Sequence, residues 1–62
     1  MTKQVWQVKY TNKRGQPRID NTLAANAEEA RERVIDNIEK SSVRLNAPHE
    51  QVGEILKTFV LF

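Results

Sequence analysis

A chain of 62 residues with ten basic and eight acidic side chains forms one small domain of net charge +2. It has no cysteine for a disulfide and no cluster of metal ligands that would replace one. No stretch approaches the roughly 20 apolar residues of a membrane helix, and the start Met-Thr-Lys-Gln lacks the apolar run of a signal peptide. We therefore expect one domain over residues 1–62, in the cytoplasm, without membrane, metal or cofactor.

The N-terminal third predicts a β-hairpin. An alternating run of β-branched and aromatic residues places Trp6, Val8 and Tyr10 on one face of a first strand. Gly15 and Pro17 follow within a polar segment that is typical of a turn. The alternation then resumes, and two such runs joined by a short turn with glycine indicate a hairpin.

The hydrophobic period changes to three and four residues over 27–40, which predicts an amphipathic helix. Asn26 lies before it and Glu29 three positions later, which is a capping-box pattern. Two oppositely charged pairs at four-residue spacing would stabilise the helix: Glu29–Arg33 and Asp36–Lys40.

The C-terminal third allows two interpretations. We expect the helix to end at Ser41-Ser42, and residues 43–45 could form a short strand. Pro48 then marks a break or the first turn of a short helix. The apolar residues between 52 and 60 fit a helical period, but the run from Thr58 to the end is β-branched and aromatic. We favour a strand over about 54–61.

These elements predict an α+β fold of ββαβ type. A three-stranded antiparallel sheet, with a fourth short strand left open, packs one face on the amphipathic helix. We expect Ile19, Leu23 and Phe59, together with Trp6 or Val5, to face that helix. The other face of the sheet stays open to water or to a partner.

Basic charge is concentrated on the predicted hairpin. Residues 1–20 hold five Lys and Arg against one acid, and residues 21–40 hold three against five. The candidate partner-binding residues are Lys9, Lys13, Arg14 and Arg18, with Arg44 as a further contact. A polar tip that only keeps the domain soluble would show the same pattern. A two-stranded ribbon also fits the major groove of DNA, so nucleic acid is a second candidate partner.

The C-terminal run Phe59-Val60-Leu61-Phe62 is a candidate oligomer interface. Consecutive side chains of a strand point to opposite faces, so one helix cannot bury all four. An exposed apolar patch usually marks an interface, and a second copy of the chain would cover it. The alternative is a chain end that folds back over its own core. Trp6 and Tyr10 are expected in the core, where a chain with four aromatic residues needs them.

Catalytic chemistry has little support in the sequence. His49 is the single histidine and has no further ligand near it in sequence. Ser41 and Ser42 have no neighbouring base that would activate a nucleophile. Gly15 and Gly53 do not form a phosphate-binding loop. We expect a protein that is not an enzyme.

The order of elements resembles that of small phage-encoded proteins that act on the host. It is carried by Trp6 in a short hairpin, the helix start Ala25-Asn26-Ala27-Glu28-Glu29-Ala30, and a strand after a polar loop. The early phage inhibitors of bacterial RNA polymerase look similar, with one helix on a three-stranded sheet. The resemblance implies binding and occlusion without chemistry, and Arg44 matches their arginine contacts after the helix. Their hairpin is acidic where this one is basic, so the resemblance implies the class rather than the polymerase.

The sequence therefore favours a small protein-binding module, of phage origin, that regulates or inhibits a larger host protein. The basic hairpin would direct it to an acidic patch. The alternatives are a nucleic-acid-binding module that uses the same hairpin and a homodimeric structural protein.

Overall fold

The computed structural model describes residues 2–62. The elements in chain order are strand β1 Gln4–Asn12, strand β2 Pro17–Ala24, helix α1 Ala27–Arg44, a short 3-10 helix Pro48–Glu50, and strand β3 Val52–Val60. The strands form one antiparallel sheet in the order β2-β1-β3, and α1 packs against one face of it. This confirms the predicted α+β fold of ββαβ type, with three strands in the sheet.

The central strand β1 sets which face of the sheet is covered. Val8 is fully buried and Tyr10 is 4% exposed, and Trp6 packs against the same core. The Nε1 of Trp6 donates a hydrogen bond to the carbonyl of Ala24 at 3.0 Å, so the indole is satisfied where it is partly buried. The predicted face of Trp6, Val8 and Tyr10 is confirmed as the face under the helix.

Helix α1 buries a stripe at four-residue spacing. Ala30 and Val34 are fully buried, and Ile38 packs beside them. Asn26 caps the first turn, where its Oδ1 accepts a hydrogen bond from the Glu29 backbone N–H at 2.8 Å. The predicted cap is therefore confirmed.

The predicted end of the helix is wrong. The helix continues through Ser41 and Ser42 to Arg44, so residues 43–45 do not form a strand. The buried Ser42 hydroxyl donates to the Glu39 carbonyl at 2.8 Å, which satisfies it inside the helix. Asn46 ends the helix in the position that glycine often takes, because it adopts a left-handed φ of 55°.

The last carbonyls of α1 are satisfied by the chain that leaves it. The Asn46 N–H donates to Val43 O at 3.1 Å, and the Ala47 N–H donates to Ser42 O at 2.8 Å. This pair of bonds is the Schellman pattern of helix ends. It turns the chain toward the 3-10 helix, where Pro48 occupies the first turn as expected.

Strand β3 contains two irregularities that change which side chains face the helix. The register between β3 and β1 shifts at Leu56 and again at Gly53. Each of these two residues is an extra residue of β3 that has no partner on β1, as in a β-bulge. Val52 and Ile55 therefore both reach the core although they are three residues apart. This spacing explains why the segment fits a helical period in the sequence. Gly53 has no room for a side chain, because a Cβ would lie 2.6 Å from the Asn12 carbonyl oxygen.

The expected contribution of β2 and Phe59 to the core is wrong. Ile19 pairs with Lys9 and Leu23 pairs with Val5, so both lie on the face that the helix does not cover. Phe59 pairs with Gln7 on that same face. Alternation gives the two sets of side chains but does not say which set a helix will cover.

No helix within residues 2–62 is long and apolar enough to cross a membrane.

Candidate binding surface

The face of the sheet opposite α1, here called the open face, begins with an apolar row. Val5 lies at its centre and pairs with Leu23 of β2. On the other side, the Leu61 N–H donates to the Val5 carbonyl at 2.8 Å, which continues the pairing past β3. Leu23 is 57% exposed and Leu61 39% exposed. Apolar side chains from three adjacent chain segments thus line one end of a face that no element covers.

Aromatic and basic residues follow along the open face. Lys9 and Lys57 pair directly across β1 and β3, and Phe59 lies next to them on the same face. Their Nζ atoms lie 5.6 Å and 5.3 Å from the centre of the Phe59 ring, within the range of cation–π attraction. Ile19, 59% exposed, flanks Lys9 from the side of β2.

The two lysines of the open face have no acidic partner within residues 2–62. The salt bridges of this part of the chain involve other cations: Lys3, Arg18, Arg33, Lys40 and His49. Like charges directly opposite each other in a sheet are destabilising. The open face therefore joins an apolar end to an end where two lysines lie opposite each other and form no salt bridge within residues 2–62.

The hairpin tip is organised by the buried side chain of Asn12, which is 1% exposed. Its Oδ1 accepts hydrogen bonds from the backbone N–H groups of Arg14 at 2.9 Å and Gln16 at 3.0 Å. Its Nδ2 donates to the Gln16 side chain at 2.9 Å and to Glu50 at 3.4 Å. Gly15 completes the turn with a φ of 78°. Lys13 and Arg14 are exposed on a turn of defined shape.

The tip is also tied to the 3-10 helix. The Lys13 backbone N–H donates to the His49 carbonyl at 3.0 Å. The Arg18 Nε lies 3.5 Å from Glu50, and the His49 ring lies 3.4 Å from the same carboxylate. The charge of Arg18 is thus partly neutralised within the chain. His49 is half-buried beside Glu50.

The structure does not bring the five predicted partner-binding residues together. Lys9 lies on the open face, whereas Arg18 pairs with Tyr10 and so lies on the side of the sheet that carries the helix. Lys13 and Arg14 share the tip. Arg44 lies in the last turn of α1, beside an open depression that Glu39, Lys40 and Val43 also line.

The four residues of the predicted oligomer interface divide between the faces. Phe59 lies on the open face and Leu61 continues beside Val5. Val60 pairs with Trp6 at the margin of the core and is 42% exposed. Phe62 lies beyond β3 and is 81% exposed.

Sequence reasoning missed Lys57 and the exposure of the β2 residues Ile19 and Leu23. The signal for Lys57 was present, since it lies two positions before Phe59 on one strand and so shares its face. The exposure of Ile19 and Leu23 had no comparable signal, because their alternation fits either face equally well.

The Tyr10 phenol is an ionisable group in the core of the domain. Burial raises the pKa of Tyr10, and the nearby charges of Asp20 and Glu50 add to this effect, so its phenol stays protonated at neutral pH. Within residues 2–62, no three histidine or carboxylate side chains are placed to hold a metal ion.

Comparisons with known protein families, with curated proteins and with solved structures found no match to this chain.

Proposed function

We propose that this protein is a small, non-catalytic module that binds a larger protein and regulates or inhibits it by covering part of its surface. The observation that carries the proposal is the open face, where Leu23, Val5 and Leu61 form an apolar row that no element covers and Phe59 follows Leu61 on the same face. Contiguous exposed apolar side chains on a soluble domain usually mark an interaction site. A protein partner offers apolar surface to match them.

The distribution of charge indicates the chemistry of that partner. Lys9 and Lys57 lie on the open face, and Lys13 and Arg14 lie at the hairpin tip, without a salt bridge inside the described part of the chain. An acidic surface would be attracted to them and held in one orientation. Following the resemblance to phage proteins, we propose a host protein in the cytoplasm as the partner.

A second candidate is single-stranded nucleic acid. The Phe59 ring between Lys9 and Lys57 supports it, since bases stack on aromatic rings among basic residues. The predicted ribbon in the major groove has less support. The first strand is not free to enter a groove, because β3 pairs with β1 as far as Asn12. One exposed ring also offers little stacking beside four aliphatic side chains.

The test is an affinity capture from bacterial lysate that compares two substitutions with equal charge change. Leu23→Glu places a carboxylate on the open face, and Val43→Glu places one on α1 at a side chain that is 75% exposed. Each arm is run with and without nuclease. We expect one defined protein to be captured by the wild type and by Val43→Glu, to be lost with Leu23→Glu, and to be unaffected by nuclease.

Two results would contradict this proposal. If Leu23→Glu and Val43→Glu reduce the capture equally, the open face is not the binding site. Capture that disappears with nuclease would favour the nucleic-acid candidate. Sedimentation of the purified chain tests the homodimer alternative. A homodimer requires an apparent mass that rises with protein concentration in the wild type and is lower in Leu23→Glu.

A further inference from the structure

We infer that Lys9 and Lys57 together bind a carboxylate side chain of the partner, and that the partner also presents apolar side chains about 13 Å away. This inference rests on the proposed function and specifies the chemistry of the surface that the open face recognises. The carboxylate would lie beside Phe59, and the apolar side chains would pack on the row of Leu23, Val5 and Leu61.

The geometry of the two lysines favours a single shared anion. They pair directly across neighbouring strands, so both side chains leave the same face of the sheet. Side chains directly opposite each other start from Cβ atoms about 5 Å apart, so these two can reach one carboxylate. Both Nζ atoms also lie within 5.6 Å of the Phe59 ring centre, and this contact limits the rotamers that the lysines lose when an anion binds.

The electrostatic energy of the two lysines also favours a carboxylate of the partner at this position. Two positive charges opposite each other raise the energy of the free protein, and neither lysine forms a salt bridge within residues 2–62, although Glu54 lies further along the same face. A carboxylate from the partner would remove that repulsion as it binds. A partner with an apolar or basic group at this position would leave two charges to be desolvated without compensation.

The spacing follows from the strand itself. Val5 and Lys9 are four residues apart on β1, and a strand rises about 3.3 Å per residue, so the two ends lie about 13 Å apart. Between them, the Gln7 side chain donates a hydrogen bond to Asn21 at 3.3 Å, so the middle of the face is polar. An extended partner segment would therefore carry its acidic residue four positions from its apolar residues.

The experiment selects peptides from a random displayed library on the purified full-length protein. Peptides of about 12 residues are long enough, when extended, to cross the 35 Å length of the molecule. The wild type is compared with Lys9→Glu/Lys57→Glu and with Arg31→Glu/Lys40→Glu. The last variant is the control, because it changes the net charge equally on α1, which packs on the other face of the sheet. Circular dichroism establishes that each variant is folded, and Lys57→Gln is used if the first double variant is not.

We expect wild-type selection to enrich Asp or Glu four positions from apolar residues. Binding of those peptides should weaken at least about tenfold in Lys9→Glu/Lys57→Glu, as loss of a buried charge pair does. It should change by less than about twofold in the α1 variant, because its two substitutions lie away from the open face. Selection on Lys9→Glu/Lys57→Glu should exchange the acidic residue for Lys or Arg at the same position.

Three results would overturn the inference, and the Leu23→Glu variant distinguishes them. Selected peptides whose binding is lost with Leu23→Glu, but which show no preference for Asp or Glu, would agree with the proposed function and contradict the carboxylate site. Peptides that Leu23→Glu does not affect would contradict both. A labelled oligothymidylate that binds more tightly than the peptides and is lost in Lys9→Glu/Lys57→Glu would assign the lysines to phosphate.

Discussion

The two faces of β1 carry the same kinds of residue and have opposite roles. On the covered face, Val8 has no exposed surface and the polar atoms of Trp6 and Asn12 find hydrogen-bond partners. On the open face, Val5 and its neighbours form an uncovered apolar row, and Lys9 forms no salt bridge among residues 2–62. Packing on one face stabilises the fold, and the uncovered surface on the other is available for recognition.

The largest expected difference between the faces comes from introducing a charge. Val8→Asp would bury an uncompensated carboxylate under α1, at a cost of about 3–5 kcal/mol, which is about the total stability of a domain this small. Ile19→Asp on the open face should change the free energy of unfolding by about 0.5 kcal/mol or less. Urea denaturation followed by circular dichroism measures both. A folded Val8→Asp variant, or an unfolded Ile19→Asp variant, would contradict the assignment of the two faces.

Two asparagines, Asn12 on the covered face and Asn21 on the open face, allow a comparison with smaller expected changes in stability. Asn12 makes four side-chain hydrogen bonds in a buried position, whereas the Asn21 side chain receives one from Gln7 on the open face. Asn12→Ala should reduce the free energy of unfolding by about 1–3 kcal/mol, because it leaves backbone donors of the tip without acceptors. Asn21→Ala should cost about 0.5 kcal/mol or less.

Hydrogen exchange gives the local measurement for this pair. In Asn12→Ala, the backbone amides of Arg14 and Gln16 should exchange faster relative to the rest of the sheet, since both donate to the Asn12 side chain. Unchanged protection of these two amides would mean that the tip does not depend on Asn12.

The smallest expected effect is the change of stability with pH that Glu29 of α1 contributes. A hydrogen bond from Arg33 lowers the pKa of Glu29, and the nearby Lys3 contributes. Because the folded-state pKa lies below its ordinary value, the unfolded chain binds the proton more readily and stability rises with pH. The contribution is complete above about pH 4.5 and is lost as the pH falls through the lowered pKa.

Glu29→Gln should therefore reduce the loss of stability on acidification from about pH 5 to pH 3. Unfolding in urea at several pH values compares it with Glu32→Gln, an exposed carboxylate on the same helix. Equal pH profiles for the two variants would contradict the special role of Glu29.

Local patterns were sufficient for the first two thirds of the fold. The alternation around Trp6 and the cap at Asn26 depend on neighbours in sequence, and both are confirmed. The end of α1 was missed because Asn46 can stop a helix only if it adopts a left-handed backbone, which its residue type permits but does not require. The polar Ser42 also suggested an end, although a buried hydroxyl is stable there when it bonds to Glu39.

The candidate site was only partly predictable. Lys9 and Phe59 were both identified as candidates, but they were assigned to separate functions, the basic hairpin and an oligomer interface. Their contact arises because β3 lies beside β1. Residues about 50 positions apart in the chain are paired in this way, and the sequence alone does not predict that pairing. Lys57 joins them for the same reason.

By itself, the sequence determined the hairpin, the start and amphipathic face of the helix, and the excess of basic charge near the N-terminus. Each follows from neighbouring side chains through periodicity, capping or turn preference. The tertiary structure decided which face of the sheet α1 covers and which residues of β3 reach the core. The two irregularities at Gly53 and Leu56 break the period of two, so the inward side chains of β3 are known only once the strand is paired with β1.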